Sequence, residues 1–140
     1  VTRRQIEDLV ALWQKRLGLD GWQINFVWDS EPDEDEDGND TLAEVDAQSV
    51  PYRRSNIRFT RKVEEWPRDA WGAHGNYTAD EVIVHELLHL AQRDCDRAAM
   101  DLDEGQIHRD AYDVRNAAYH EARERFVDDL ARALVAAFEG

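Results

Sequence analysis

The sequence predicts one α+β domain of 140 residues, and three observations carry that expectation. Apolar residues recur at helical spacing near the N-terminus, alternate at period two through the middle, and return to helical spacing over most of the second half. Residues 1–140 contain no internal repeat and no linker-like stretch, so they are expected to share one core. That core would combine an N-terminal helix, a three-stranded sheet and two long helices.

The elements follow in order. Between Thr2 and Leu17, apolar residues at Ile6, Leu9, Val10, Leu12, Trp13 and Leu17 form a helical stripe, with Thr2 able to cap the start and Gly18 to stop the end. In GWQINFVWD, Trp22, Ile24 and Phe26 alternate with Gln23, Asn25 and Val27, which reads as a strand. Residues 29–41 are densely acidic and aperiodic, so their default reading is a solvated loop. Two more strands are expected at Leu42 to Ser49 and Arg53 to Thr60, joined near Pro51. In the second, Ile57 and Phe59 alternate with Asn56 and Arg58, as in a half-buried strand at a sheet edge. Pro67, Gly72 and Gly75 then break the chain. Thr78-Ala79-Asp80-Glu81 matches a capping box that opens a helix running to about Ala99. Asp101 to Gly105 would separate it from a last helix, Gln106 to Phe138.

Composition narrows the function classes. Lys and Arg number 17 against 31 Asp and Glu, a net charge of −14 that repels phosphate backbones and anionic lipid surfaces. Nucleic-acid and membrane partners are therefore not expected. A single cysteine, Cys95, cannot build an intrachain disulfide framework and suits a reducing compartment. No apolar run approaches membrane-spanning length, and VTRRQIEDLV lacks a signal-peptide core. The expected setting is the cytoplasm.

One stretch carries chemistry. VIVHELLHL, residues 82–90, sets two imidazoles and a carboxylate inside an apolar helix, which is costly unless they have partners. His85 and His89 are four apart, so they are neighbours on one helical face and can both reach one Zn²⁺. Glu86 lies about 100° around the helix from His85. From there it can lean towards the open side of the metal and take a proton from an activated water. This is the physical content of the HExxH pattern of zinc hydrolases.

A catalytic zinc usually takes three protein ligands. The compact HExxHxxGxxH arrangement fails, because Gln92 stands at the glycine position and Cys95 at the last ligand position. Buried structural cysteine is the expectation for Cys95. The third ligand should come from the last helix, where His108, Asp113, His120, Glu121 and Glu124 are available. Val127, Leu130, Ala131, Leu134 and Phe138 mark its buried face, and stepping back from Val127 by three and seven reaches Glu124 and His120. Glu121 aligns instead with Arg125, Asp128 and Arg132, read as a solvent stripe. Glu124 is the expected ligand, with His120 as the alternate ligand or a supporting group.

With these residues placed, the chain resembles the zincin-like metallopeptidases, in particular a group of small phage-associated metallopeptidases. The resemblance rests on VIVHELLHL, on GWQINFVWD and TLAEVDAQ, and on the closing segment HEARERFVDDLARAL. It spans roughly Leu9 to Leu134, and HELLH is its specific motif. It implies a minimal zincin core with a short sheet packed on the active-site helix, and a glutamate third ligand as in gluzincins, carried over to Glu124. SprT-like proteins take a third histidine, which would favour His120. It further implies a sheet-edge strand holding the substrate backbone by strand addition, expected near Asn56 to Phe59. The residue polarising the scissile carbonyl stays open among His74, Tyr112, Tyr119 and His120.

The acidic loop has a second reading. Asp33, Asp35, Asp37, Asn39 and Glu44, with Gly38 at the turn, fit the spacing of a calcium-binding loop. Asp40 replaces the usual apolar residue and the flanks read as strands, so a solvated loop is preferred to a Ca²⁺ site. The expected function is a zinc-dependent metallopeptidase acting on a peptide or protein. The alternative is a zinc-binding accessory protein with the same fold and no peptidase activity.

Overall fold

Thr2 starts the first helix by the reciprocal bonding its sequence predicts. Its Oγ1 accepts from the Gln5 backbone N–H at 3.2 Å, and the Gln5 side chain accepts from the Thr2 N–H at 2.8 Å. Helix α1 (Arg3–Arg16) ends at Leu17, and Gly18 follows with φ +70°, a conformation glycine adopts without strain. The computed structural model describes residues 1–29, 42–49, 53–72, 74–104 and 109–139, with side chains except at 29, 46–49, 93–104 and 109–117. Ile6, Leu9, Val10 and Trp13 bury the inner face of α1, whereas Leu12 is 39% exposed and lies outside the stripe assigned to it.

Strands β1 (Gln23–Asp29), β2 (Ala43–Ser49) and β3 (Arg54–Thr60) form one mixed sheet in the order β1-β3-β2. β3 runs parallel to β1 and antiparallel to β2. The expectation that Asn56 to Phe59 form a sheet edge is therefore wrong. Alternation reports which face of a strand is buried and says nothing of how many neighbours it has. The register puts Ile24, Phe26 and Trp28 of β1 beside Ser55, Ile57 and Phe59 of β3, and sets Val45 and Ala43 of β2 opposite Ile57 and Phe59. These residues share one face, where the rings of Phe26, Trp28 and Phe59 stack at centroid distances of 5.3–6.4 Å and Trp71 meets Phe59 edge-on. The other face carries exposed Gln23, Asn25, Glu44, Arg54 and Arg58.

A short 3-10 turn (Arg61–Glu65) and the bridge between Trp71 and Tyr77 lead to helix α2 (Ala79–Glu104). The capping box forms as expected, with Thr78 N–H donating to Glu81 at 3.0 Å and Glu81 N–H to the Thr78 hydroxyl at 3.1 Å. α2 runs past Ala99 through Asp101 to Glu104, because no residue there forbids the helical backbone. Val82, Ile83, Val84, Leu87, Leu88 and Leu90 are all buried. Helix α3 (Arg109–Glu139) buries Val127, Ala131 and Val135. Phe138, expected inside, is 47% exposed, yet its ring meets Trp13 edge-on at 5.4 Å.

One buried carboxylate ties these layers together. Asp80 is 2% exposed, and it accepts from Trp13 Nε1 at 2.8 Å and from Arg68 Nε and Nη2 at 2.7 and 2.8 Å. Burial raises its pKa, but the hydrogen bonds from Arg68 and Trp13 outweigh burial and hold it below the ordinary carboxylate value. Arg68 is held above its usual value, first by the hydrogen bond to Asp80. Among the described residues no helix is long and apolar enough to cross a membrane.

Candidate metal centre

Helical geometry divides the polar residues of VIVHELLHL between two neighbours. His85 and His89, one turn apart, face α3, while Glu86 points towards β2. His85 Nε2 and His89 Nε2 lie 3.0 Å apart. Glu124 of α3 reaches both, with Oε2 at 3.1 Å from His85 Nε2 and Oε1 at 3.1 Å from His89 Nε2. Donor atoms of these three residues all fall within 4.8 Å of one another. A tetrahedral zinc ion with ligands at about 2.0–2.1 Å holds them about 3.3–3.4 Å apart, so the three donors already stand close to that spacing. Two imidazoles and one carboxylate are also the donor types such an ion takes.

Asp128 supports this group. Its Oδ1 lies 2.7 Å from His85 Nδ1, a distance at which an Nδ1–H donates to the carboxylate and turns Nε2 towards Glu124 and His89. Asp128 had been placed on a solvent stripe, and the structure corrects that. It sits one turn after Glu124, so the α3 face turned to His85 carries both acids. Hydrophobic phasing missed it because Asp128 adjoins the buried Val127 and remains 42% exposed itself.

Electrostatics follow from this crowding. Burial alone would lower the His85 pKa. The hydrogen bond to Glu124 and the charges of Glu86 and Asp128 overcome burial and push it up to about 9. The two histidines hold Glu124 well below the usual carboxylate range, against the opposing effect of burial. Glu86 is 8% exposed, and burial pushes it up to about 7 despite the nearby histidines and the backbone N–H of Val45. That N–H donates to Glu86 Oε2 at 2.9 Å. A carboxylate so placed can exchange a proton near neutral pH.

The Val45 bond also shows how the sheet meets the site. Thr60 N–H donates to Leu42 C=O at 3.2 Å, and the antiparallel alternation then turns the N–H and C=O of Ala43 and Val45 away from β3. Among the described residues β2 is an outer strand of the sheet. The N–H and C=O of Ala43 and the C=O of Val45 therefore form an edge beside Glu86 that pairs with no further strand, while the Val45 N–H is held by Glu86. The strand next to the site is thus β2, which corrects the placement of substrate binding at Asn56 to Phe59.

The histidines are less enclosed than the apolar run around them suggested. The side chains of His85 and His89 are 18% and 13% exposed, and that of Glu124 is 49% exposed. The three donors can therefore be reached from solvent. His120, the alternate ligand, is one turn before Glu124 and its ring lies 6.0 Å from that of Tyr119, which is itself 39% exposed. The donor cluster found among the described residues contains Glu124 and does not contain His120. Glu121 pairs with Arg125 at 3.7 Å on the outer surface, as expected. His74 is exposed in the connection before α2. Of the calcium-loop residues, Glu44 is exposed on β2, and Asp33, Asp35, Asp37 and Asn39 lie outside the described residues. The side chains of Cys95, His108, Tyr112 and Asp113 also lie outside them. No protein-family model, curated protein or solved structure matches the chain.

Proposed function

We propose that the protein is a zinc-dependent peptidase in which His85, His89 and Glu124 hold the ion and Glu86 carries the proton. One observation carries this reading: three donors from two helices converge at 3.0–3.1 Å beside a buried carboxylate whose pKa is about 7. When bound, zinc supplies a Lewis acid that polarises a peptide carbonyl and lowers the pKa of water to about 7.

The remaining chemistry belongs to the chain. Asp128 orients His85 through Nδ1, so that Nε2 presents its lone pair to the ion. Val45 N–H engages Glu86 Oε2 and leaves Oε1 to accept a proton from the attacking water and return it to the departing amine. The outward N–H and C=O of Ala43 and the outward C=O of Val45 offer an edge on which a substrate adds as a further strand, the Val45 N–H being engaged by Glu86. A strand added in this way would run with its backbone beside Glu86.

Metal content tests the first half. Protein purified without added metal should carry about one zinc per chain, as expected for a single three-ligand centre. Glu86→Gln should retain that zinc and abolish cleavage of an unfolded protein substrate. Zinc-loaded wild type that cleaves nothing in a broad peptide panel would remove the peptidase assignment and leave a zinc-binding accessory role.

A further inference from the structure

We propose that Arg132, laid over the ring of Tyr77, selects substrates that bear a carboxylate on the leaving-group side of the scissile bond; this rests on the peptidase reading above. The direction of a bound peptide follows from β2. A strand added to its open edge favours the antiparallel sense, the more stable pairing. The substrate's C-terminal half then runs from the position beside Val45 and Glu86 back towards Ala43 and Leu42, against the direction of β2.

At that end Leu42, Gly72 and Tyr77 lie close together. A Cβ built on Gly72 would stand 3.7 Å from Leu42 Cδ1 and 3.8 Å from Tyr77 Cδ2, so Leu42, just before β2, and Tyr77 lie on either side of Gly72. Arg132 Cζ lies 5.6 Å from the Tyr77 ring centroid. Asp128 and Glu124, one and two turns earlier on α3, reach the histidines, so Arg132 continues the same helical face past the donor cluster. Tyr77 thus holds the Arg132 cation on the side of the donor cluster where the chain enters β2, the side that would receive the leaving group.

That cation is available. Arg132 is exposed, and no carboxylate among the described residues lies within ion-pair distance of it. The ring beneath restrains the guanidinium without occupying its in-plane donors, which remain free for a carboxylate. In a chain of net charge −14, an exposed arginine with no acidic ion-pair partner among the described residues is a local attraction for an anionic group. The carboxylate can be the substrate's own C-terminus or an Asp or Glu side chain one or two residues beyond the cleaved bond.

Internally quenched peptides distinguish these sources. One series ends in a free carboxylate or an amide two residues after the cleaved bond. The other is amidated throughout and carries Asp or Asn at the same positions. Zinc-loaded wild type should favour the charged member of at least one series by roughly tenfold in kcat/KM, and the series that shows it identifies the source. In Arg132→Gln that ratio should fall to about one, and Arg132→Glu should invert it in favour of Lys at the Asp position. Equal cleavage of charged and neutral members by wild type would overturn this inference alone. Absence of cleavage by zinc-loaded protein would overturn the peptidase reading and this inference with it.

Discussion

His85 Nδ1 stands 2.7 Å from Asp128 Oδ1 across the α2–α3 interface, while the other nitrogen of the same ring faces Glu124 and His89. One imidazole is thereby fixed at both ends, and once Nε2 gives up its proton the lone pair has a single direction to point. Asp128→Ala should leave the fold intact, because the Asp128 side chain is 42% exposed, and should lower zinc affinity by about 10–100-fold. Glu124→Ala should lower it further, and Glu121→Ala should change it little. Competition with a chromophoric chelator ranks the three variants. Equal affinities for the Glu124 and Glu121 variants would show that Glu124 is no ligand.

Zinc affinity should depend steeply on pH. In the metal-free protein His85 keeps its proton up to about 9, and a metal ligand must give it up. Affinity should therefore rise roughly tenfold per pH unit between about pH 7 and 9 as the competing proton leaves. Calorimetry in buffers of different ionisation enthalpy should detect the released proton. The sign for the metal-free fold is opposite. His85 has a pKa raised from 6.5 to about 9, so its contribution is complete below 6.5 and is lost as pH rises through 9. Metal-free protein should lose stability over the range in which zinc binds more tightly.

Asp80 provides an acid-side test. Its folded pKa lies below the ordinary 3.8, so its contribution is present above that value and is lost as pH falls through the lower folded pKa. Asp80→Asn should flatten the acid limb of the stability curve measured by urea titration. Asp80→Ala should cost about 2–3 kcal/mol, chiefly because Trp13 Nε1–H is left buried without its acceptor. The exposure of Arg68, 56% for its side chain, keeps the ionic share small. An acid limb that Asp80→Asn leaves unchanged would rule out this account.

Gly72, between Leu42 and Tyr77, tests the backbone conformation of this region. Its φ of +95° is open to glycine and strained for other residues, although a Cβ there meets only ordinary contacts at 3.7 and 3.8 Å. Gly72→Ala should cost about 1–2 kcal/mol through backbone strain, read as a lower urea midpoint with unchanged slope. Gly18→Ala, where the space around a Cβ is empty and φ is +70°, should show a smaller loss, because +70° lies nearer the left-handed helical well.

Much of this molecule can be read from local sequence. The Thr2 and Thr78 caps, the three strand segments, and the helical faces of His85, His89 and Glu124 all follow from short-range spacing. Each depends on backbone geometry repeated over a few residues. Sheet order does not. Alternation in Asn56 to Phe59 identifies a buried face, but only the parallel pairing with β1 makes β3 central and hands the open edge to β2. The roles of Asp128 and Arg132 escaped for a related reason. Both belong to a polar stripe, and a polar stripe becomes solvent or site according to what packs opposite it. Sequence by itself determined the chemistry available: two imidazoles and a carboxylate one helical turn apart, inside an apolar helix. Tertiary structure alone decided which distant groups meet them. Asp128 on His85, Val45 N–H on Glu86 and Arg132 over Tyr77 are contacts between residues 41 to 55 positions apart, set by how helices and sheet pack and by no spacing along the chain.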